Sequence, residues 1–456
     1  TIADNIVDEA NLKVSNAPTN GYYLSAQSGN TGGLTWAAVV AGVETNLTAT
    51  SNIGLGTNAV NSITTGDYNV GLGDESLTAV TSGDDNIAVG RGVLQATTTA
   101  SDNTGLGSFA LFTNTTGANN VAVGKDSLNA NTTASNNTAV GTIALSDNTT
   151  GTANAALGAA ALEKNTTGSY NTGIGRSALE ANTTGANNTA LGYDALDANT
   201  TASNNTAVGY NSLTANTTGD FNTAIGSASL DANTTGTRNT AVGRASLGAN
   251  TTASDNTALG HFALNANTTG ANNTALGRAT LSVNTTGANN TATGYTALDA
   301  NTTGASNVAM GSYALTANTT ANSNAAFGYA AMEANTTGAQ NTGLGYAALR
   351  ANTTGANNVA IGRDSLLANT TAASNTAVGA TSMIANTNGH SNSAFGRSSL
   401  IANTTGDHNT AIGYAALLAN TSANDNTAVG YSSLGANTTG IANVAVGKDA
   451  LLSNTT

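Results

Sequence analysis

The feature that most constrains this chain is an uninterrupted 17-residue period. A glycine that follows an aliphatic residue falls at Gly56, Gly73, Gly90 and Gly107, and so on to Gly447, which makes 24 copies without insertion or deletion. A globular core of unlike elements tolerates changes of loop length, whereas a stack in which each unit sits on the last does not. The spacing therefore predicts a solenoid. Seventeen residues are too few for two helices and short of the roughly 20–29 of a leucine-rich unit. The predicted fold is all-β, a parallel β-solenoid or β-roll of 24 coils with 17 residues per coil, about 4.8 Å of length per coil. Residues 46–456 form this array, and 1–45 are a non-repeating N-terminal cap or connector.

Positions are counted from the glycine. Position −4 is Asn in every unit, with Asn188, Asn205, Asn222, Asn239 and Asn256 as examples. A registered column of buried amides predicts an Asn ladder running from coil to coil. Position −2 is only Ala or Gly, −3 is mostly Thr, and −1 is mostly Val, Leu or Ile. Position +4 is Leu apart from Val60, Met332 and Met383. Alternation puts −3 and −1 on one face and −4, −2 and 0 on the other. The expected core pairs the −1 and +4 residues: Leu191, Leu196, Val208, Leu213, Ile225 and Leu230. A strand limited to Ala and Gly on one side implies another backbone pressed close to it, and that small-residue face is expected to be buried against other chains. The Asn-Thr-Thr-Gly run is expected to turn the chain, with Gly or Ala where φ must be positive.

Composition narrows the partners. The chain has a net charge of −13, no cysteine and only 8% charged residues. A thin negative charge argues against nucleic acid as partner, and no cysteine means no disulfide or thiolate metal site. No apolar run approaches the roughly 18 residues a membrane span requires. The chain starts at Thr1 without methionine and stops partway into a unit, and is read as part of something longer. In the non-repeating segment, short strands are expected near Leu12–Val14, Tyr22–Leu24 and Leu34–Val40, with Trp36 closing the first coil or joining a neighbouring subunit.

Two further columns bear on function. Asn131, Asn182, Asn199, Asn216 and Asn233 stand in Asn-Thr-Thr runs that match the N-glycosylation acceptor pattern. Turn chemistry is the favoured explanation, because Asn and Thr both bond local backbone. Position +1 collects Tyr193, Tyr210, Arg244, Arg278, Tyr295, Tyr346, Arg363 and Tyr414. Such a row suits stacking on sugars or a subunit interface, with acids at +2 and +5 such as Asp126, Asp364 and Glu333 as candidate partners. His261, His390 and His408 recur with no nucleophile, so no catalytic or metal site and no cofactor are expected.

The run Asn-Thr-Ala-Val-Gly-Tyr-Asn-Ser-Leu at 205–213 resembles the head repeats of trimeric autotransporter adhesins, whose coils carry Asn-Ser-Val-Ala-Ile-Gly. It also resembles phage tail-fibre repeats, as do residues 11–37. The adhesin units are shorter than 17 residues. The resemblance implies a left-handed β-roll, commonly a homotrimer, in an extracellular fibre or adhesive role. The expected function is the shaft of an extracellular fibre or filament, a bacterial surface appendage or phage tail fibre, with self as partner. An adhesin or carbohydrate-binding module that meets surface glycans through the Tyr/Arg row is the alternative. Ice binding by the −3 Thr row is a third, interrupted at Val70, Ile87, Val121, Ala155 and Val359.

Overall fold

The computed structural model describes residues 51–456 and, before them, three strands over 22–26, 34–38 and 43–44. Among the described residues there is no helix. The repeat folds as a parallel β-solenoid, with one three-residue strand in each 17-residue coil and 24 such strands from Ile53–Leu55 to Val444–Val446. The chain divides into two compact units at 167/168. Seven coils, those of Gly56 to Gly158, lie in the first unit and seventeen, those of Gly175 to Gly447, in the second.

Within each unit the strands pair in parallel with a register of one period. Ala190 stands opposite Ala207 and Ala207 opposite Ala224 in the second unit, as Gly71 stands opposite Ala88 in the first. Strands β1 (Tyr22–Ala26) and β2 (Leu34–Ala38) form an antiparallel hairpin. Strand β3 (Val43–Glu44) runs antiparallel to the first coil strand, β4 (Ile53–Leu55), and occupies its outer edge. Expected strands at 22–24 and 34–40 coincide with this hairpin. The expected strand at 12–14 and the packing of Trp36 lie outside the described residues.

The strand alternates as expected, but its two faces are exchanged. The −2 alanines are buried, as are the +4 leucines as far as Leu434, and Leu196, Leu213 and Leu230 are each 0% exposed. The −1 residues face outward: Leu191 is 44% exposed, Ile225 40%, and Val208 is only partly covered. Leu191, Val208 and Ile225 are therefore not core. The small-residue face is the interior of the chain's own coil, not a surface awaiting another chain. The cause is the width of the coil. A Cβ added at Gly343, a −2 position, would lie 3.2 Å from Cγ of Met332, the +4 residue of the coil before. One large side chain per coil fills the interior, and the strand passing over it has room only for Ala or Gly.

Positions −5, +2 and +4 of each coil take left-handed backbone conformation, and all but Gly92 are non-glycine. In one coil these are Asn204 (φ 61°), Asn211 (φ 52°) and Leu213 (φ 54°). A leucine in this region carries a local penalty, which its complete burial offsets. Gly209 has φ 134°, and a Cβ there would lie 2.7 Å from the carbonyl of Gly226 in the next coil. The invariant glycine thus answers both a dihedral and a close approach. The Gly of Asn-Thr-Thr-Gly answers only the second: Gly185 has no positive φ, but a Cβ there would press on the Ala202 carbonyl, and Ala202 and Ala253 fill the same position elsewhere. They are small because they are buried.

Candidate functional site

Two asparagine columns run through the interior. At −4, the Asn188 side-chain oxygen accepts the backbone N–H of Asn205 (3.0 Å), and Asn205 accepts that of Asn222 (2.8 Å). Asn222 accepts from Asn239 (3.0 Å) and Asn239 from Asn256 (3.1 Å). The Nδ2 groups of Asn188, Asn222, Asn239 and Asn256 donate to the carbonyls of Ala202, Gly236, Ala253 and Gly270, all at 2.8–3.0 Å. Asn205 Nδ2 is the exception and has no partner. Leaving one of these buried amide groups unpaired would cost roughly 1–3 kcal/mol.

The second column, at +7, holds the asparagines of the glycan-acceptor pattern. Asn131, Asn182, Asn199, Asn216 and Asn233 are all completely buried. Nδ2 of Asn199 donates to Oδ1 of Asn182 (2.8 Å) and to the carbonyl of Ala202 (3.0 Å). Asn131, Asn216 and Asn233 repeat the pattern on Asn114, Asn199 and Asn216, while Asn182 donates to Gly185. The nitrogen a glycan would need is enclosed, and both its hydrogens are committed. Ala202 O accepts from both columns, so one carbonyl joins the two ladders. The following threonine is also accounted for: Thr200 Oγ1 donates to Thr217 O at 3.1 Å, and the bond recurs along the column.

The +1 row is outside and ordered by its own contacts. Tyr193 and Tyr210 stack with ring centroids 5.6 Å apart and planes 18° from parallel. Tyr329 and Tyr346 stack at 5.5 Å and 10°, Tyr414 and Tyr431 at 5.2 Å and 16°. Tyr295 and Tyr313 meet edge to face at 81°. Arg176 donates to the Tyr193 hydroxyl (2.8 Å) and Arg278 to that of Tyr295 (3.2 Å), each guanidinium lying over the ring it bonds. Arg244 lies over Phe262 and 3.4 Å from His261 Nε2. The +2 acids pair within their own coil, Lys125 with Asp126 (2.8 Å) and Arg363 with Asp364 (3.3 Å). Glu333 instead meets Arg350, a +5 residue like itself, at 2.6 Å. That pair walls an open trough of about 700 Å³ floored by Ala317, Ala334, Ala351 and Ala368. Burial pushes the carboxyls of Asp194 and Asp231 above their ordinary range, Arg176 opposing the shift at Asp194.

Sequence reasoning missed a staple at the −6 corner. The backbone N–H of Asp67 donates to Asp84, that of Ser203 to Asp220 and that of His390 to Asp407, at 2.6–2.8 Å. His390 Nδ1 accepts the N–H of Ala373 (3.0 Å), and His408 lies 3.6 Å from Asp425. The recurrence of Asp, Ser, Asn and His at −6 was the available signal. Among the described residues no three His, Cys, Asp or Glu side chains cluster as metal ligands. The same residues contain no helix long and apolar enough to cross a membrane. Compared with protein-family models, with curated proteins and with solved structures, the chain has no match.

Proposed function

We propose that this chain is a non-catalytic structural module, the shaft of an extracellular fibre or filament whose lateral partner is another copy of itself. The observation that carries the proposal is the outward strand face. Across 24 coils its −3 and −1 columns hold no charged residue, in a chain of net charge −13. Within each unit this makes an uncharged strand face, a candidate for coverage by a partner. In the second unit the +1 and +2 columns on one flank carry six Lys or Arg against three acids. The −6 and −5 columns on the other flank carry four acids against Arg238. Copies lying alongside and pointing the same way would set a basic flank on an acidic one. The likeness of 205–213 to adhesin-head and tail-fibre repeats agrees with this reading.

Sedimentation at several concentrations, with electron microscopy of the same samples, tests the proposal. Multimers or fibres are expected, and Ile225→Lys with Leu259→Lys should weaken them while leaving protease resistance of the coils unchanged. A chain that stays monomeric at every concentration overturns it. The adhesin reading draws on the exposure of the Tyr/Arg row. It is the weaker of the two, because the paired rings cover one another's faces and offer a sugar mainly edges and hydroxyls.

A further inference from the structure

We propose that the stacked tyrosine pairs of the second unit are sites of oxidative dityrosine coupling, each forming a covalent bond between successive coils. The inference goes beyond the fibre reading and does not depend on it. Tyr193–Tyr210, Tyr329–Tyr346 and Tyr414–Tyr431 each join residues 17 apart, with centroids 5.2–5.6 Å apart and planes within 18° of parallel. All six rings are exposed, between 40% and 57%, so a diffusing or enzymic oxidant reaches them. Each ring rides on a backbone tied to the next coil: Asn211 N–H donates to Tyr193 O at 3.1 Å, Ala347 N–H to Tyr329 O at 3.0 Å and Ser432 N–H to Tyr414 O at 2.9 Å. Partners held in this way react at a high effective concentration. The chain has no cysteine to compete for the oxidant, and of its three methionines Met332 and Met383 are fully buried, which leaves Met310 as the one exposed thioether.

The chemistry balances with a haem peroxidase and hydrogen peroxide as the oxidant. Each tyrosine loses one electron and its phenolic proton, and the two radicals join through ring carbons ortho to oxygen. The hydrogen displaced from each of those carbons returns to oxygen and restores the phenol. The pair loses two hydrogens, and one peroxide becomes two waters.

The experiment treats the purified full chain, at high dilution, with peroxidase and hydrogen peroxide. Dityrosine is read by fluorescence and by the masses of tryptic fragments 177–238, 279–350 and 398–448, each of which contains one stacked pair. Each fragment is expected to appear lighter by two hydrogens, with no dimer on a denaturing gel. The Y193F/Y329F/Y414F variant, which removes only hydroxyls, should lose most of the signal. The native chain should give several-fold more dityrosine than the chain in urea. The proposal is overturned if dityrosine is absent, joins different chains only, survives undiminished in the triple variant, or forms equally in urea.

Discussion

At +7 the first three coils hold Ile63, Val80 and Thr97, whereas all seventeen coils of the second unit hold asparagine. All of these side chains up to Asn437 are buried, so the same interior position is apolar at the start of the first unit and polar throughout the second. Thr97 marks the change within the first unit. Its hydroxyl donates to Asn114 O (3.1 Å) and accepts from Asn114 Nδ2 (3.5 Å), which gives the first amide of the ladder something to hold. The lesson is that the solenoid does not need asparagine at +7. It needs a column that is either apolar or hydrogen-bonded at every step. The outward columns differ more freely. The first unit has Thr57, Asp74, Arg91, Ser108, Lys125, Thr142 and Ala159 at +1, and none of the tyrosines that line this row in the second.

The contrast can be broken most severely where the units agree. Leu77→Asp in the first unit and Leu213→Asp in the second each bury a carboxylate without a partner, and each should cost about 5 kcal/mol or more locally. Leu191→Asp, on the outward face of a neighbouring strand, should leave protease resistance nearly unchanged. Equal sensitivity at 191 and 213 would mean that the faces are wrongly assigned.

A smaller effect sharpens the comparison at +7. Asn250→Val removes the acceptor of Asn267 Nδ2 and the donor to Asn233 Oδ1. Two orphaned groups should cost about 2–5 kcal/mol, read by hydrogen exchange of the flanking coils. Val80→Asn in the first unit places an amide between Ile63 and Thr97 and should cost about 1–3 kcal/mol. If Asn250→Val were neutral, the ladder would be incidental to stability.

The smallest effect is on the surface. Arg238, bonded to Asp255 at 2.7 Å, holds that carboxyl below its ordinary range. A lowered folded value contributes stability above the unfolded carboxylate range, and that stability is lost as pH falls through the folded value. Asp255→Asn should therefore flatten the acid limb of a melting curve only slightly, since the pair is exposed.

Period, coil number and the −4 ladder are legible in the sequence because each is a property of columns. The side of the strand that faces inward is not. Alternation separates Thr189 and Leu191 from Asn188 and Ala190 but carries no sign, and the habit of placing the larger aliphatic inside gave the wrong one. The space that decides the matter is set by Leu196 across the coil, a tertiary fact. The left-handed leucines were equally hidden, because φ above zero normally announces itself through glycine or asparagine. The Asn-Thr-Thr run is ambiguous for a related reason: a glycan acceptor pattern and an amide ladder with a threonine rung use the same letters.

The two ladders also bear on how such a chain ages. Asparagine turns to aspartate when the next residue's backbone nitrogen attacks the side-chain carbonyl and ammonia leaves. At Asn199 the attacking nitrogen, Thr200 N, already donates to Thr217 O (3.1 Å), and the departing amide nitrogen holds Asn182 and Ala202. At Asn188, Thr189 N donates to Asn205 O (2.8 Å). At both positions the attacking nitrogen is already held by the next coil, and at Asn199 the departing amide is held as well, so the ladders that join the coils also slow the chemical wear of the asparagines they enclose.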